Sequence, residues 1–197
     1  MIQQGNSVIY YGPMRSGKSK ALIDIADKLN GRYLAFKPAI DTRDGAYITT
    51  RENRKSIPAT IVYNTSQLLE YSWEPQDKKK PQAILIDEIS LFSSDIITVR
   101  DSFTMQGIDI YAAGLDRDYL ARWFQLSPGE FILESTMQEV ISDYQEKHSL
   151  TAKCEICGKP AHYTQRLRNG KPVKHDIGLI EIGDAQYRPV CGYCKGS

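Results

Sequence analysis

The chain has no cysteine in its first 153 residues, almost no net charge, no long apolar run, no low-complexity tract and no internal repeat. Each absence removes a class of explanation. A formal charge of +1, from 25 basic and 24 acidic residues, sets up no global field that would draw in nucleic acid or an anionic membrane. Nucleic acid is therefore not expected as a partner. No stretch is apolar over the length a bilayer-spanning helix needs, and the opening MIQQGNSVIYY lacks the basic, apolar and small-residue order of a signal peptide. A cytoplasmic protein with no membrane association is the expectation. At 197 residues the chain can build one principal core plus a small appendage.

The four cysteines are confined to the last quarter, as Cys154-Glu-Ile-Cys157 and Cys191-Gly-Tyr-Cys194 with 33 residues between the pairs. In a reducing compartment such clustering argues for a metal rather than for disulfides. Four thiolates at this spacing can close a tetrahedral Zn²⁺ site with no open position, which makes the metal structural; free buried cysteines are the alternative. Gly158 supplies the tight turn after the first knuckle. Zinc would pin the ends of a segment too small to fold alone. His148, His162 and His175 lie outside both knuckles and read as surface or partner-contact residues.

Strand and helix signals alternate along the rest. SVIYY (Ser7 to Tyr11) reads as a buried strand, and the next helical stretch places Leu22, Ile25, Ala26 and Leu29 on one face, with Gly31 to end it. RYLAFKPAI, AILIDEI and IDIYAAGLD are further strand candidates, and TSQLLEY and SDIITVRDSF are helical. Short apolar strands interleaved with helices predict an α/β domain with a mainly parallel sheet. The stretch DTRDGAYITTRENRKSIPATI mixes turn residues with isolated apolar ones and is expected to be a long mobile connection. WEPQDKKKPQ reads as a solvated surface turn. Composition turns to Cys, Gly, Lys and Arg after Leu150, which puts a domain over 1–150 and a second over 151–197.

Gly12, Gly17, Lys18 and Ser19 match G-x-x-x-x-G-K-[ST], between a predicted strand and a predicted helix. Such a loop turns its backbone N–H groups inward and adds the positive end of a helix dipole, which suits the phosphates of ATP. The candidate ATP and Mg²⁺ residues are Gly12, Pro13, Met14, Arg15, Ser16, Gly17, Lys18 and Ser19, with Lys18 reaching the β- and γ-phosphates and Ser19 on the metal. AILIDEI supplies a second acid at a strand end: Asp87 for the metal's shell, and Glu88 beside it to accept a proton from whatever attacks the γ-phosphate. The alternative is a pair of acids that only caps a helix. These spacings give a Mg-nucleotide enzyme and leave its acceptor open.

The order and spacing of GPMRSGKS, KPAIDTR, IDEISLF, AAGLDRDYLARWF, LTAKCEICGKPAHYTQRL and YRPVCGYC resemble one family nearly end to end: the thymidine kinases built from a P-loop domain and a zinc-bound lasso. The resemblance implies a P-loop NTPase (RecA-like) fold with a small C-terminal zinc-ribbon or lasso domain. It implies transfer of the ATP γ-phosphate to the 5′-hydroxyl of thymidine or a closely related pyrimidine deoxynucleoside. Glu88 matches the family's general base and Arg43 the arginine on the transferring phosphoryl group, with Lys18 as the third catalytic residue. Met14, Leu91, Leu115, Tyr119, Phe124 and Thr164 fall on the nucleobase pocket, and Ile182, Gly183 and Tyr187 on the lasso segment that meets base and sugar. The family assembles as homotetramers. This chain departs from the usual pattern at Ser90 and Leu91, at Gly192, in a lasso one residue shorter before Tyr187, and at Arg15, where an aromatic is frequent. A P-loop ATPase whose zinc ribbon contacts nucleic acid or a protein is the alternative function, and an inactive nucleotide-binding homologue a third.

Overall fold

The computed structural model describes residues 3–51, 54–73, 78–175 and 186–196. Its elements in chain order are β1 (Ser7–Tyr11), α1 (Lys18–Leu29), β2 (Tyr33–Pro38), β3 (Tyr47–Thr49), β4 (Ser56–Pro58), β5 (Thr60–Val62), β6 (Ala83–Ile86), α2 (Ile96–Met105), β7 (Asp109–Gly114), α3 (Met137–Asp143) and β8 (Glu146–Ser149). The last quarter adds β9 (Ala152–Lys153), β10 (Pro160–Ala161), β11 (Tyr163–Arg168), β12 (Lys171–Pro172) and β13 (Gln186–Val190).

Six strands form one sheet in the order β5-β2-β6-β7-β1-β8, and every pairing in it is parallel. Side chains alternate between the two faces along each strand, and because helices cover both faces the inner strands β1, β2, β6 and β7 are largely apolar. On β6, Ile84 and Ile86 face a cluster with Ile96, Val99 and Phe103 of α2 and Val140 of α3. Ala83 and Leu85 face the other side, against Leu22, Ile23 and Ala26 of α1. With both faces covered, the loops at the carboxyl ends of β1, β2, β6 and β7 form a rim where a ligand can sit.

Four details differ from the sequence expectation. On α1 Ile23 joins Leu22, Ala26 and Leu29 on the buried face, and Ile25 is half-buried at the margin. The helix is ended by Asn30 in a left-handed conformation, with Gly31 only the second positive-φ residue. β6 stops at Ile86, so both acids lie just past the strand. The stretch expected to be a mobile connection is instead a hairpin: β3 pairs antiparallel with β4, and Ile48 opposite Ile57 is buried against the outer side of α1. One apolar residue per strand is enough there because the two meet in register. β5 then joins the edge of the main sheet.

A buried acid fixes the long segment between β7 and α3. Asp95 is 1% exposed, and its carboxylate accepts from the backbone N–H groups of Glu130, Phe131 and Ile132 at 2.5, 2.9 and 2.9 Å. Asp95→Ala would strand those donors, and the expected cost is about 2–4 kcal/mol, read from the urea midpoint. Burial raises the carboxyl's proton affinity, but the three amides outweigh it and hold its pKa below the ordinary value. The contribution is therefore present above the ordinary carboxylate pKa and is lost as pH falls through the lowered one.

Candidate active site

The phosphate loop runs from the end of β1 into α1. Gly12 has φ 144, and a Cβ there would lie 2.2 Å from the Leu150 carbonyl oxygen, so only glycine lets the loop pass. Lys18 is buried and donates to the carbonyls of Gly12 and Pro13 at 3.1 and 2.7 Å. Burial lowers its pKa, while the charges of Glu88, Asp87 and Asp116 act the other way. An ammonium bonded, among the described residues, to its own loop's carbonyls can exchange them for phosphate oxygens.

Asp87 sits opposite. The Ser19 hydroxyl donates to its two carboxylate oxygens at 3.0 and 3.4 Å, and the Glu88 N–H donates at 3.0 Å. Burial and then the charge of Glu88 push the Asp87 carboxyl up to about 7. A buried acid forced toward its neutral form beside a serine hydroxyl is a pair of hard oxygen donors in need of a cation, and these residues fit Mg²⁺.

Glu88 adopts φ 51 and ψ 43, a left-handed conformation that is costly for a residue with a Cβ. The turn carries its side chain away from Asp87 to Arg43, whose Nη2 donates to Glu88 Oε1 at 2.5 Å. Arg43 Nε also donates to Asp41 Oδ1 at 2.6 Å. Burial works against the Arg43 charge, but Glu88 and Asp41 hold its proton more firmly than usual. Asp41 in turn pairs with Lys37 at 3.2 Å.

Lys37 is the residue that the sequence reading passes over. It is 2% exposed, and besides Asp41 it donates to the carbonyls of Arg43 and Tyr47 at 3.1 and 3.4 Å. It therefore ties the arginine loop to the start of the hairpin. The available signal was a lysine inside an otherwise apolar strand, where burial demands partners.

These groups face a cavity of about 980 Å³, and Met14, Leu91, Leu115, Tyr119, Phe124, Thr164 and Tyr187 line it together with Arg15, Ser16, Gly17, Lys18, Ser19, Arg43, Asp87 and Glu88. Gly12 and Pro13 of the loop do not line the cavity, and they take part through the carbonyls that accept from Lys18. Ile182 and Gly183 lie outside the described residues. Ser90, one of the departures from the family pattern, is buried and accepts from the Leu115 N–H at 3.3 Å, so it braces the backbone of a pocket wall. Tyr119 donates to the His175 carbonyl at 3.3 Å and lies under the Arg166 guanidinium at 5.3 Å. His148 stacks on Tyr10 with ring centroids 4.9 Å apart.

The four cysteine sulfurs lie within 4.8 Å of one another, and Cys157 and Cys191 are 3.6 Å apart. Thiolates at the usual Zn–S distance on a tetrahedron stand about 3.8 Å apart, so the cluster fits zinc. Both knuckles turn on backbone bonds, from the Gly158 N–H to the Cys154 carbonyl at 2.8 Å and from the Lys195 N–H to the Cys191 carbonyl at 3.0 Å. This module makes several contacts with the site, two of them through hydrogen bonds of Thr164 and Lys195. Thr164 Oγ1 accepts from the Met14 N–H at 3.0 Å, and Lys195 Nζ donates to the Leu120 carbonyl at 3.3 Å.

Among the described residues no helix is long and apolar enough to cross a membrane. The chain is similar to the thymidine kinase of Onion yellows phytoplasma (strain OY-M), at 31% identity over 196 residues, covering 95% of this chain and 85% of that protein. A likeness to the X-ray structure of the Legionella pneumophila ATPase DotB covers 60% of this chain and 32% of that one, at 16% identity and a TM-score of 0.33, too slight to carry an argument. The family model described as "Thymidine kinase" matches residues 5–195. That match runs from before the first strand through the last cysteine and leaves no element of the site outside it: this chain is an enzyme of the thymidine kinase family.

Proposed function

We propose that the enzyme transfers the γ-phosphate of ATP to the 5′-hydroxyl of thymidine or a closely related pyrimidine deoxynucleoside, with Glu88 as general base. The observation that supports this reading is that Glu88, Arg43, Lys18, Ser19 and Asp87 line one cavity, with Arg43 on Glu88 and Ser19 on Asp87. Phosphoryl transfer needs little covalent help from a protein; it needs positioning and positive charge where negative charge collects. Lys18 would neutralise the β- and γ-phosphates. Ser19 and Asp87 would hold Mg²⁺, which supplies charge neutralisation across the same phosphates. Arg43, fixed by Asp41, would stabilise the transferring group, and Glu88 would take the proton of the 5′-hydroxyl. The arginine must then loosen its hold on Glu88 Oε1 as phosphate competes for the guanidinium.

The apolar wall of Met14, Leu91, Leu115 and Phe124 suits a planar base, and Tyr187 suits its sugar. On this reading 1–150 is the nucleotide-binding domain and 151–197 the zinc-held lasso domain, with Ile182 and Gly183 against the base. We further take the enzyme to be cytoplasmic and homotetrameric, which light scattering after gel filtration tests for assembly.

Incubation of the purified protein with Mg-ATP and a panel of deoxynucleosides, thymidine and deoxyuridine included, is expected to give ADP and a nucleoside 5′-monophosphate in equal amounts. ADP with free phosphate alone would overturn the kinase reading in favour of an ATPase.

A further inference from the structure

The zinc module contacts the phosphate loop at two consecutive residues. The Met14 N–H is held by the Thr164 hydroxyl, and the Arg15 guanidinium is ion-paired with the Glu155 carboxylate. Glu155 follows the first zinc ligand directly, and its own N–H donates to the Pro189 carbonyl at 3.1 Å, two residues before the third cysteine. Both ends of the knuckle therefore fix where this carboxylate stands. Arg15 has φ 61, a left-handed conformation that a residue with a Cβ adopts only when its surroundings impose it. A run of alternating backbone hand is what turns successive N–H groups toward a bound anion, so the conformation of residue 15 is part of the phosphate cradle itself.

We propose that Glu155 is a positioning residue for ATP: it ties the tip of the phosphate loop to the zinc knuckle, so that the four cysteines set the shape of the ATP site as well as that of the nucleoside side. The inference deepens the reading that this loop binds ATP and assigns a role to Arg15, at which the chain departs from the usual family pattern. The guanidinium acts through its pair with Glu155 and holds the loop's backbone.

Two physical accounts of the pair predict opposite signs. If Glu155 acted only through its charge, it would oppose ATP binding, and its removal would tighten the complex. If it acts by holding the loop, removal weakens the complex, because part of the binding free energy then goes into ordering the loop.

The test is the Kd for Mg-ATP, measured by titration calorimetry without nucleoside, in wild type, Glu155→Gln, Glu155→Ala, Arg15→Ala and the double variant. Zinc content is measured in each, so that a misfolded knuckle is recognised. Exposed pairs of this kind have modest effects, and the expectation is a Kd about two- to fivefold weaker in Glu155→Gln and Glu155→Ala, with KM for ATP following it and kcat and the nucleoside KM close to wild type. The double variant is expected to bind no more weakly than Arg15→Ala alone, and the difference is expected to shrink as salt is added. The functional reading rests on wild-type binding of Mg-ATP, and this inference rests on the change in that Kd. An unchanged or tighter Kd in Glu155→Ala with full zinc content would overturn it.

Discussion

Glu88→Gln is expected to lower kcat by about 10²–10⁴-fold while leaving the Kd for Mg-ATP close to wild type. Glutamine keeps the length of the side chain and can still accept from Arg43 Nη2, which now donates to Oε1 at 2.5 Å. It cannot take a proton. The left-handed backbone at residue 88 is unchanged by the substitution, so the test isolates basicity from shape. Lys18, Ser19 and Asp87 remain as they are, and on the proposed reading it is they that hold the triphosphate and its metal. Turnover measured beside ATP titration separates the two effects. Full turnover in Glu88→Gln would remove the base assignment, and a matched loss of ATP affinity would move Glu88 into the binding machinery. Glu88→Ala is the harsher variant, because Arg43 then loses one of its two carboxylate partners.

Cys191→Ser is the second large effect. It takes a four-thiolate site to three, and the metal-binding free energy at stake is on the order of 10 kcal/mol, far above what the few apolar contacts of this module supply. The module's buried cluster consists of Ala152, Ala161, Val190 and three of the cysteines themselves. Loss of zinc is therefore expected to loosen the pairing of β11 with β13, which carries Thr164, Arg166 and Tyr187 in register. Nucleoside-dependent turnover is expected to be nearly abolished, with a smaller loss of ATP affinity through Met14 and Arg15. Zinc analysis, a thermal melt and separate titrations of ATP and thymidine check the three parts. Full activity in a zinc-free protein would contradict the structural role of the metal.

What the sequence made legible was chemistry confined to short stretches. GPMRSGKS and IDEISLF each hold their candidate groups within a few residues, so spacing alone nominates them. The cysteine pairs read for the same reason: a knuckle is a local turn. What it hid depended on partners far along the chain. β8 reads EKHS with all four residues exposed, and nothing apolar in it announces a strand that pairs with β1. Ile48 and Ile57 look like stray residues of a loop until they face each other on α1. Lys37 becomes meaningful only with Asp41 and two carbonyls around it. The sequence marks Arg15 only as a phosphate-loop residue that departs from the family pattern, and its relation to Glu155 is purely spatial. Of the residues proposed for the nucleoside, the described ones converge on one cavity, although the resemblance that nominated them drew on stretches from both ends of the chain.

The closure of the phosphate loop against Leu150 and Thr164 has a consequence for how the protein is made. The loop spans residues 12 to 19, yet the carbonyl that crowds Gly12 belongs to residue 150, and the hydroxyl that holds Met14 lies 150 positions downstream. At ordinary rates of translation the interval between the two is on the order of ten seconds. During that time the nascent chain can form α1 and the neighbouring strands but not a braced ATP site, because pairing of β1 with β8 and docking of the knuckle both wait for the final quarter. Nucleotide binding is thus a late event in biosynthesis, and a chain released early would carry the motif without the pocket.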